Sequence, residues 1–417
     1  MKKFMMMAVM LVASATAFAK DSDALKAILN AKTYADAEKL VKETLDQLAN
    51  AQEKAKAYNK LVDLAMAAYD EQDKIKLANQ FKKDNPDPVD EKLMAEMACN
   101  GIAAAYECDK YDQQQNEKGK VKPAFDKKNA ERLWATRNQL FSAGQTASKN
   151  NEDALVLKYW GVFTETLSNP FFANQMKAID ALDENAKKND YDLFGQVAYF
   201  TAISAKKLGD LAKARFYYSI AAKNNYIENK DIRNNARNEE LTLMRAGLKD
   251  KADSLRVLEE YKEMYTQTPD DDLLLNALYS MYRDMKDKDN MYAVLDARLE
   301  KDPNNFIALA NRGLAAMEEN NAANAIEYLE KAVAVQPKNV DALHWLGVCY
   351  NAKAGESSET DQAKSKEFFK KAIDVFDKCK ELDPENNFNW AYSRFQAYYN
   401  FYGPDAPETK QAEADSK

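Results

Sequence analysis

The chain of 417 residues carries 59 Lys and Arg against 67 Asp and Glu, a formal charge of −8, with one His, 11 Gly and 10 Pro. Scarce Gly and Pro beside abundant Ala, Leu, Glu, Lys and Asn specify helices joined by short polar turns, and a single His excludes every metal motif built on a His pair. Acidic and basic residues alternate along the chain, so no basic tract is offered to nucleic acid.

The N-terminus reads Met1-Lys2-Lys3, an apolar run from Phe4, then Ala17-Phe18-Ala19 ahead of Lys20 and Asp21. This is the form of a secretory signal peptide over residues 1–19, with an apolar run too short for a comfortable membrane span. Losing Lys2 and Lys3 with it takes the charge from −8 to −10. No Cys follows the cut, so a lipid anchor is not indicated, and no later segment approaches ~20 apolar residues. The mature chain is therefore expected in the periplasm of a Gram-negative type of envelope, not spanning a membrane.

From Asp21 to Phe81, apolar residues recur at helical spacing, as in Ala37, Leu40, Val41, Leu45 and Leu48, then Tyr58, Leu61, Leu64, Ala65 and Ala68. These are amphipathic helices. Asn85-Pro86-Asp87-Pro88 ends them, because each proline disfavours helix at the residue before it. A helix starting near Asp90 runs through Met94, Met97, Ile102 and Ala105, and Tyr111 to Pro123 is a polar loop. Helices resume over Lys127–Phe141 and Ala154–Leu167. Cys99 and Cys108, nine residues apart on one helix, stand ~13 Å apart at the helical rise, too far to bond unless Asn100-Gly101 breaks it.

In the C-terminal half, prolines at 269, 303, 337 and 384 follow apolar-periodic segments, with gaps of 34, 34 and 47 residues, the last being 34 plus an insertion of 13. A fixed period of that size marks stacked helical hairpins. Gly313 recurs as Gly347, Ala325 as Ala372 and Ala332 as Cys379, small residues that let helices approach. Leu343, Leu346, Gly347 and Tyr350, with Ala372, Phe376, Cys379 and Pro384 or Ala325, Leu329, Ala332 and Pro337, resemble the two helices of the tetratricopeptide repeat. Leu157 to Gly161 repeats the Leu343 to Gly347 pattern, and Leu208-Gly209-Asp210 through Ala214, Tyr218 and Ala221 is similar to the family's turn and second helix. Between Asn235 and Tyr265 another hairpin can be drawn. The hairpin from Asp272 departs from the pattern at Tyr279, Met291 and Arg298, and is expected to pack less tightly.

The resemblance implies an all-α, right-handed solenoid of antiparallel helix pairs over residues 153–402. Residues 20–152 are read as diverged repeats or a helical cap, 355–365 as a projecting loop, and 403–417 as a disordered acidic tail. Cys349 and Cys379 fall on the two helices of one hairpin, either bridged or as small core residues.

The sequence offers no Gly-rich phosphate loop, no Gly-x-Ser-x-Gly and no Cys-x-x-Cys, and His344 and Cys349, five residues apart, fall on different helix faces. It reads as a non-enzyme without cofactor or metal. In the resembled family the first helix of each hairpin lines a concave groove that takes a peptide or protein. Those offsets select Asn276, Ser280 and Arg283; Asn311, Leu314 and Met317; His344, Val348 and Asn351; and Tyr392, Phe395 and Tyr398. The Asn and Arg side chains suit a peptide backbone or carboxylate, and the apolar and aromatic ones supply contact area. An alternative is a glycan or cell-wall fragment stacked on Trp345, Tyr392, Phe395 and Tyr398.

Overall fold

A computed structural model describes residues 21–82, 84–116 and 119–417; the expected signal peptide lies outside them. The described residues are all-α helical repeats without a strand. The chain divides into two compact units, Met1–Glu240 and Leu241–Lys417. The first holds α1 (Asp23–Asn30), α2 (Tyr34–Thr44), α3 (Ala51–Asn79), α4 (Glu91–Asp112), α5 (Asp126–Lys149), α6 (Asp153–Glu165), α7 (Ala173–Asp180), α8 (Glu184–Lys207), α9 (Leu211–Lys223) and most of α10 (Lys230–Ala246). The second continues with α11 (Lys251–Gln267), α12 (Asp272–Asp284), α13 (Lys288–Lys301), α14 (Phe306–Glu318), α15 (Ala322–Val335), α16 (Val340–Ser357), α17 (Gln362–Leu382), α18 (Trp390–Tyr402) and α19 (Pro407–Asp415).

The proline period has a local cause. Thr268, Asp302, Gln336 and Asp383, each preceding a proline, close α11, α13, α15 and α17 with φ between −138° and −127° and ψ between 69° and 90°. The proline ring forbids the helical conformation at that residue. Two residues beyond Pro269, Pro303 and Pro337 stand Asp271, Asn305 and Asn339, whose side chains cap the N-termini of α12, α14 and α16. One Pro-x-Asp/Asn unit thus stops one helix and starts the next.

Within four hairpins, α5/α6, α8/α9, α12/α13 and α14/α15, the turn is built differently. Asn151, Gly209, Lys286 and Asn320 have φ between 57° and 78°, and the following residue donates its N–H five residues back, as from Asn321 to the Ala316 carbonyl at 2.9 Å. This left-handed closure satisfies carbonyls orphaned at the helix end. Lys286 occupies it against the preference for Gly.

Helices pair as α3 with α4, α5 with α6, α8 with α9, α14 with α15 and α16 with α17. The boundary expected at 152/153 therefore cuts through a packed pair: Trp160 of α6 lies against Gly144 of α5 and donates its indole N–H to the Phe141 carbonyl at 3.0 Å. Leu157 to Gly161, which the sequence pattern likens to a first helix, sits on the second helix of that pair.

Two further expectations are corrected. Residues 355–365 do not project as a loop: α16 and α17 have 18 and 21 residues where α14 and α15 have 13 and 14, so the insertion lengthens both helices and leaves a short turn. Ala, Lys and Glu in the inserted stretch are good helix formers, which outweighs its serines. Nor is 403–417 a disordered tail. Thr409 and Ala412 of α19 are buried, and Asp415 accepts from Lys380 at 2.6 Å and Arg394 at 2.9 Å.

At the hairpin from Asp272, α12 and α13 pack less extensively than α14 and α15. Tyr279 and Met291 are buried, while Arg298 reaches out to Asp270 at 2.7 Å and Asp272 at 3.6 Å. All four cysteines are free and buried. α4 runs unbroken past Asn100-Gly101, and Cys349 and Cys379 are core residues.

In the first unit Arg137 is 5 % exposed, its guanidinium 3.9 Å from the Trp134 ring centre and 4.5 Å from that of Phe163. Its Nε donates to Thr166 at 2.6 Å, and among the described residues no carboxylate forms an ion pair with it. Burial pushes it down to about 10, and the ring faces replace part of the lost solvation.

A Cβ added at Gly347 would stand 2.6 Å from Cζ of Phe376, a fully buried ring on the paired helix. Gly347→Ala is expected to lower stability by about 1–3 kcal/mol, read from urea unfolding. Lys286→Gly, relieving a left-handed backbone on an exposed turn, is expected to raise it by about 0.5 kcal/mol in the same assay.

Candidate functional site

The twelve residues assigned to a groove fall on four alternate helices of the second unit, α12, α14, α16 and α18, and do not form one continuous lining. Asn276 and Arg283 are exposed, Leu314, Met317, His344, Val348, Asn351 and Phe395 are half-buried, and Tyr392 is 62 % exposed. Ser280, Asn311 and Tyr398 are buried.

Several of the polar groups expected to meet a ligand instead join neighbouring first helices. Asn311 donates to the Asn276 side-chain oxygen at 3.0 Å, and Asn351 donates to the Ser393 carbonyl at 2.9 Å. Arg283 lies 3.8 Å from Glu318. A buried amide must find a partner, and the next first helix supplies one. Asn351 keeps a buried side-chain oxygen without a partner.

Tyr398 is a correction to the expected lining. Its hydroxyl lies 3.0 Å from Asp377 on α17 and its ring faces Arg394, which bridges Asp377 and Asp415. The aromatics Trp345, Tyr392, Phe395 and Tyr398 accordingly do not make one platform. Trp345 stacks on His344 at 4.9 Å on α16, whereas Tyr392, Phe395 and Tyr399 follow one another along α18 at centroid distances of 6.3 and 5.9 Å.

What the second unit does form is a cavity of about 430 Å³ between α16 and α18. Val348, Asn351 and Ala352 line one wall, Ser393, Gln396 and Asn400 the other, and Phe369 of α17 contributes. Of the expected residues only Val348 and Asn351 meet there. On α18 the lining is Ser393 and Gln396, one residue further along the chain than 392 and 395, and Asn400, two further than 398, because Trp390 anchors the helix start. Its ring is buried and its indole N–H donates to the Asp383 carbonyl at 3.0 Å. One residue of helix is a rotation of about 100°, enough to exchange one stripe for the next.

The first unit holds comparable space that the sequence reading did not place. One cavity of about 560 Å³ lies between α8 and α10, with Tyr199, Ile203, Asn235 and Asn238 among its walls. Two more, of about 530 and 560 Å³, adjoin along α5 and share Lys76, Gln139 and Ser142. Lys76 bridges to Glu91 at 3.0 Å and to Gln139 at 3.2 Å. The only sequence signal for these sites is the polar stripe on α3 and α5, which lacks the glycine spacing that exposed the later repeats.

Burial pushes the thiols of Cys99, Cys349 and Cys379 up to about 12, so at neutral pH they are not thiolates. Among the described residues no group of three or more His, Cys, Asp or Glu is placed to hold a metal ion, and no helix is long and apolar enough to cross a membrane.

The sequence model of the plant-specific mitochondrial import receptor subunit TOM20 family matches residues 283–394, well under half of the chain. No curated protein matches the sequence. Similar solved structures include the C-terminal part of a TPR repeat-containing protein from Cytophaga hutchinsonii, 14 % identical, covering 66 % of this chain and 99 % of that one, with a TM-score of 0.34. A TPR repeats protein from Bacteroides fragilis is 19 % identical, covers 63 % and 97 %, and has a TM-score of 0.23. The TPR2AB domain of yeast Sti1 in complex with pHSP90 is 19 % identical over 64 % and 99 %, with a TM-score of 0.25.

His344, half-buried against Trp345 and Phe376, is held below the ordinary imidazole value by burial, with Asp341 opposing. The unfolded chain therefore binds the proton more readily, and stability falls as pH drops below about 6.5 until the folded-state value is passed. His344→Gln should reduce the loss of Tm between pH 7.5 and 5.5 relative to the wild-type chain, measured by circular dichroism.

Proposed function

We propose that this chain is an exported, non-catalytic scaffold of the cell envelope that binds a peptide or protein partner on the faces of its first helices. The observation that carries this reading is the recurrence of grooves between alternate helices, α3 with α5, α8 with α10 and α16 with α18. Their walls are small, polar and aromatic residues held by cross-helix hydrogen bonds, a preorganised surface that limits the ordering cost of association. The Asn351, Gln396 and Asn400 amides that line the α16/α18 cavity suit the amide groups of a peptide main chain. Lys2-Lys3, the apolar run and Ala17-Phe18-Ala19 support export to the periplasm.

A second reading is supported by the partly exposed ladder of Tyr392, Phe395 and Tyr399 beside Gln396 and Asn400: sugar rings of a glycan stacked on the aromatics with amides on their hydroxyls.

Ala352→Trp, which fills the α16/α18 cavity, is expected to reduce partner recovery from an envelope extract by about tenfold, a loss on the scale of a blocked hot spot, with helical content unchanged. Tyr392→Ala should leave recovery of a protein partner intact and abolish retention on peptidoglycan if the second reading holds. Equal recovery of every partner by wild-type and Ala352→Trp chains would remove the groove from the first reading.

A further inference from the structure

The two adjoining cavities along α5 differ in chemistry at their two ends. In the first, Arg132 is committed to Asp63 at 2.7 Å and Lys76 to Glu91 at 3.0 Å, while Asp70 and Asp73 take part in no ion pair among the described residues. After internal pairing this end is left with two carboxylates. In the second, Ala143, Ala147, Leu155 and Tyr159 form an apolar wall, and the charges of Lys92 and Glu152 offset one another. Tyr159 is 3 % exposed and its buried hydroxyl has no hydrogen-bond partner, a donor left unspent beside this wall. Between the two ends Gln139, itself 5 % exposed, donates to Glu91 and accepts from Lys76.

The register of α3 against α5 gives the spacing. Asp63 faces Arg132 and Lys76 faces Gln139, so Asp70 lies level with α5 midway between, near Ala135 and Thr136. From there to Ala143 and Ala147 is roughly seven to eleven helical residues, about 10–16 Å, the reach of about three to five residues of extended chain.

We infer that the groove formed by α3, α5 and the start of α6 is a second binding site, for an extended peptide with a basic side chain at Asp70 and Asp73 and an apolar side chain, three to five positions away, against Ala143, Leu155 and Tyr159. It rests on the peptide-binding reading above and adds a site in the other unit with its own selectivity. The unpaired carboxylates set the charge of the ligand, and the apolar wall supplies burial. Charge at the exposed end governs capture and salt dependence, and the apolar end governs residence.

The test is selection of a phage-displayed random nonapeptide library on the full chain, followed by titration of the enriched synthetic peptides against three proteins: wild type, Asp70→Lys/Asp73→Lys, and Ala143→Glu. Circular dichroism melts check that both variants fold. The expected consensus places Lys or Arg three to five positions from Leu, Met or Phe, with binding weakened at least about tenfold by either variant and weakened further by raising salt. An acidic consensus, no enrichment, or peptides that bind both variants as tightly as wild type would overturn the inference. With the Ala352→Trp chain titrated as a fourth protein, peptides lost only in that variant would overturn it while leaving the α16/α18 groove standing, and retention of the wild-type chain on peptidoglycan with no peptide enriched would defeat both.

Discussion

The architecture depends on a steric fit: a bulky side chain of one helix seated where its neighbour has only hydrogen. Trp160 occupies that place at Gly144, Leu329 at Gly313 and Phe376 at Gly347, each so close that an added Cβ would stand 2.2 to 2.6 Å away. Interiors packed to this density cannot absorb an extra methyl by relaxing one side chain. Close approach within a hairpin sets the spacing to the next one, and that spacing leaves alternate helices near enough to share hydrogen bonds and far enough apart to leave grooves.

Polar residues on the first helices therefore serve two ends. Asn311 to Asn276 and Asn351 to the Ser393 carbonyl hold successive helices in register, and a surface held this way loses little freedom when it binds. The same economy explains why several amides expected to face a ligand do not. Around α18 the balance is electrostatic: Arg394 gathers Asp377, Asp415 and Tyr398, docking α19 and consuming an aromatic that would otherwise stand in the groove. Because Arg394 is buried and its carboxylate partners are close, the cluster is satisfied rather than merely paired.

The core of the first unit solves a different problem. Arg137 is surrounded by Trp134, Phe163 and Phe194 with one hydroxyl partner. The ring faces stabilise the cation without bringing a second charge into the core. Such a residue leaves no mark in the helical periodicity, since on a helical wheel it is a polar interruption of an apolar face.

Helix identity and the repeat were legible because both are local: prolines force the preceding residue out of helix, Asp and Asn two residues later cap the next one, and Gly313 and Gly347 keep register over 34 residues. The α5/α6 pairing was hidden because Gly144 and Trp160 meet through space with no repeat to align them. The inserted stretch 355–365 and the final residues looked like loop and tail by composition, yet continued helices and a docking surface for α19 gave them order. Sequence alone determined the all-α class, the hairpin period, and most helix starts and stops. Which stripe of each helix faces a groove was decided only by tertiary packing, because a rotation of one residue, fixed on α18 by Trp390 against Asp383, turns one set of side chains inward and another outward.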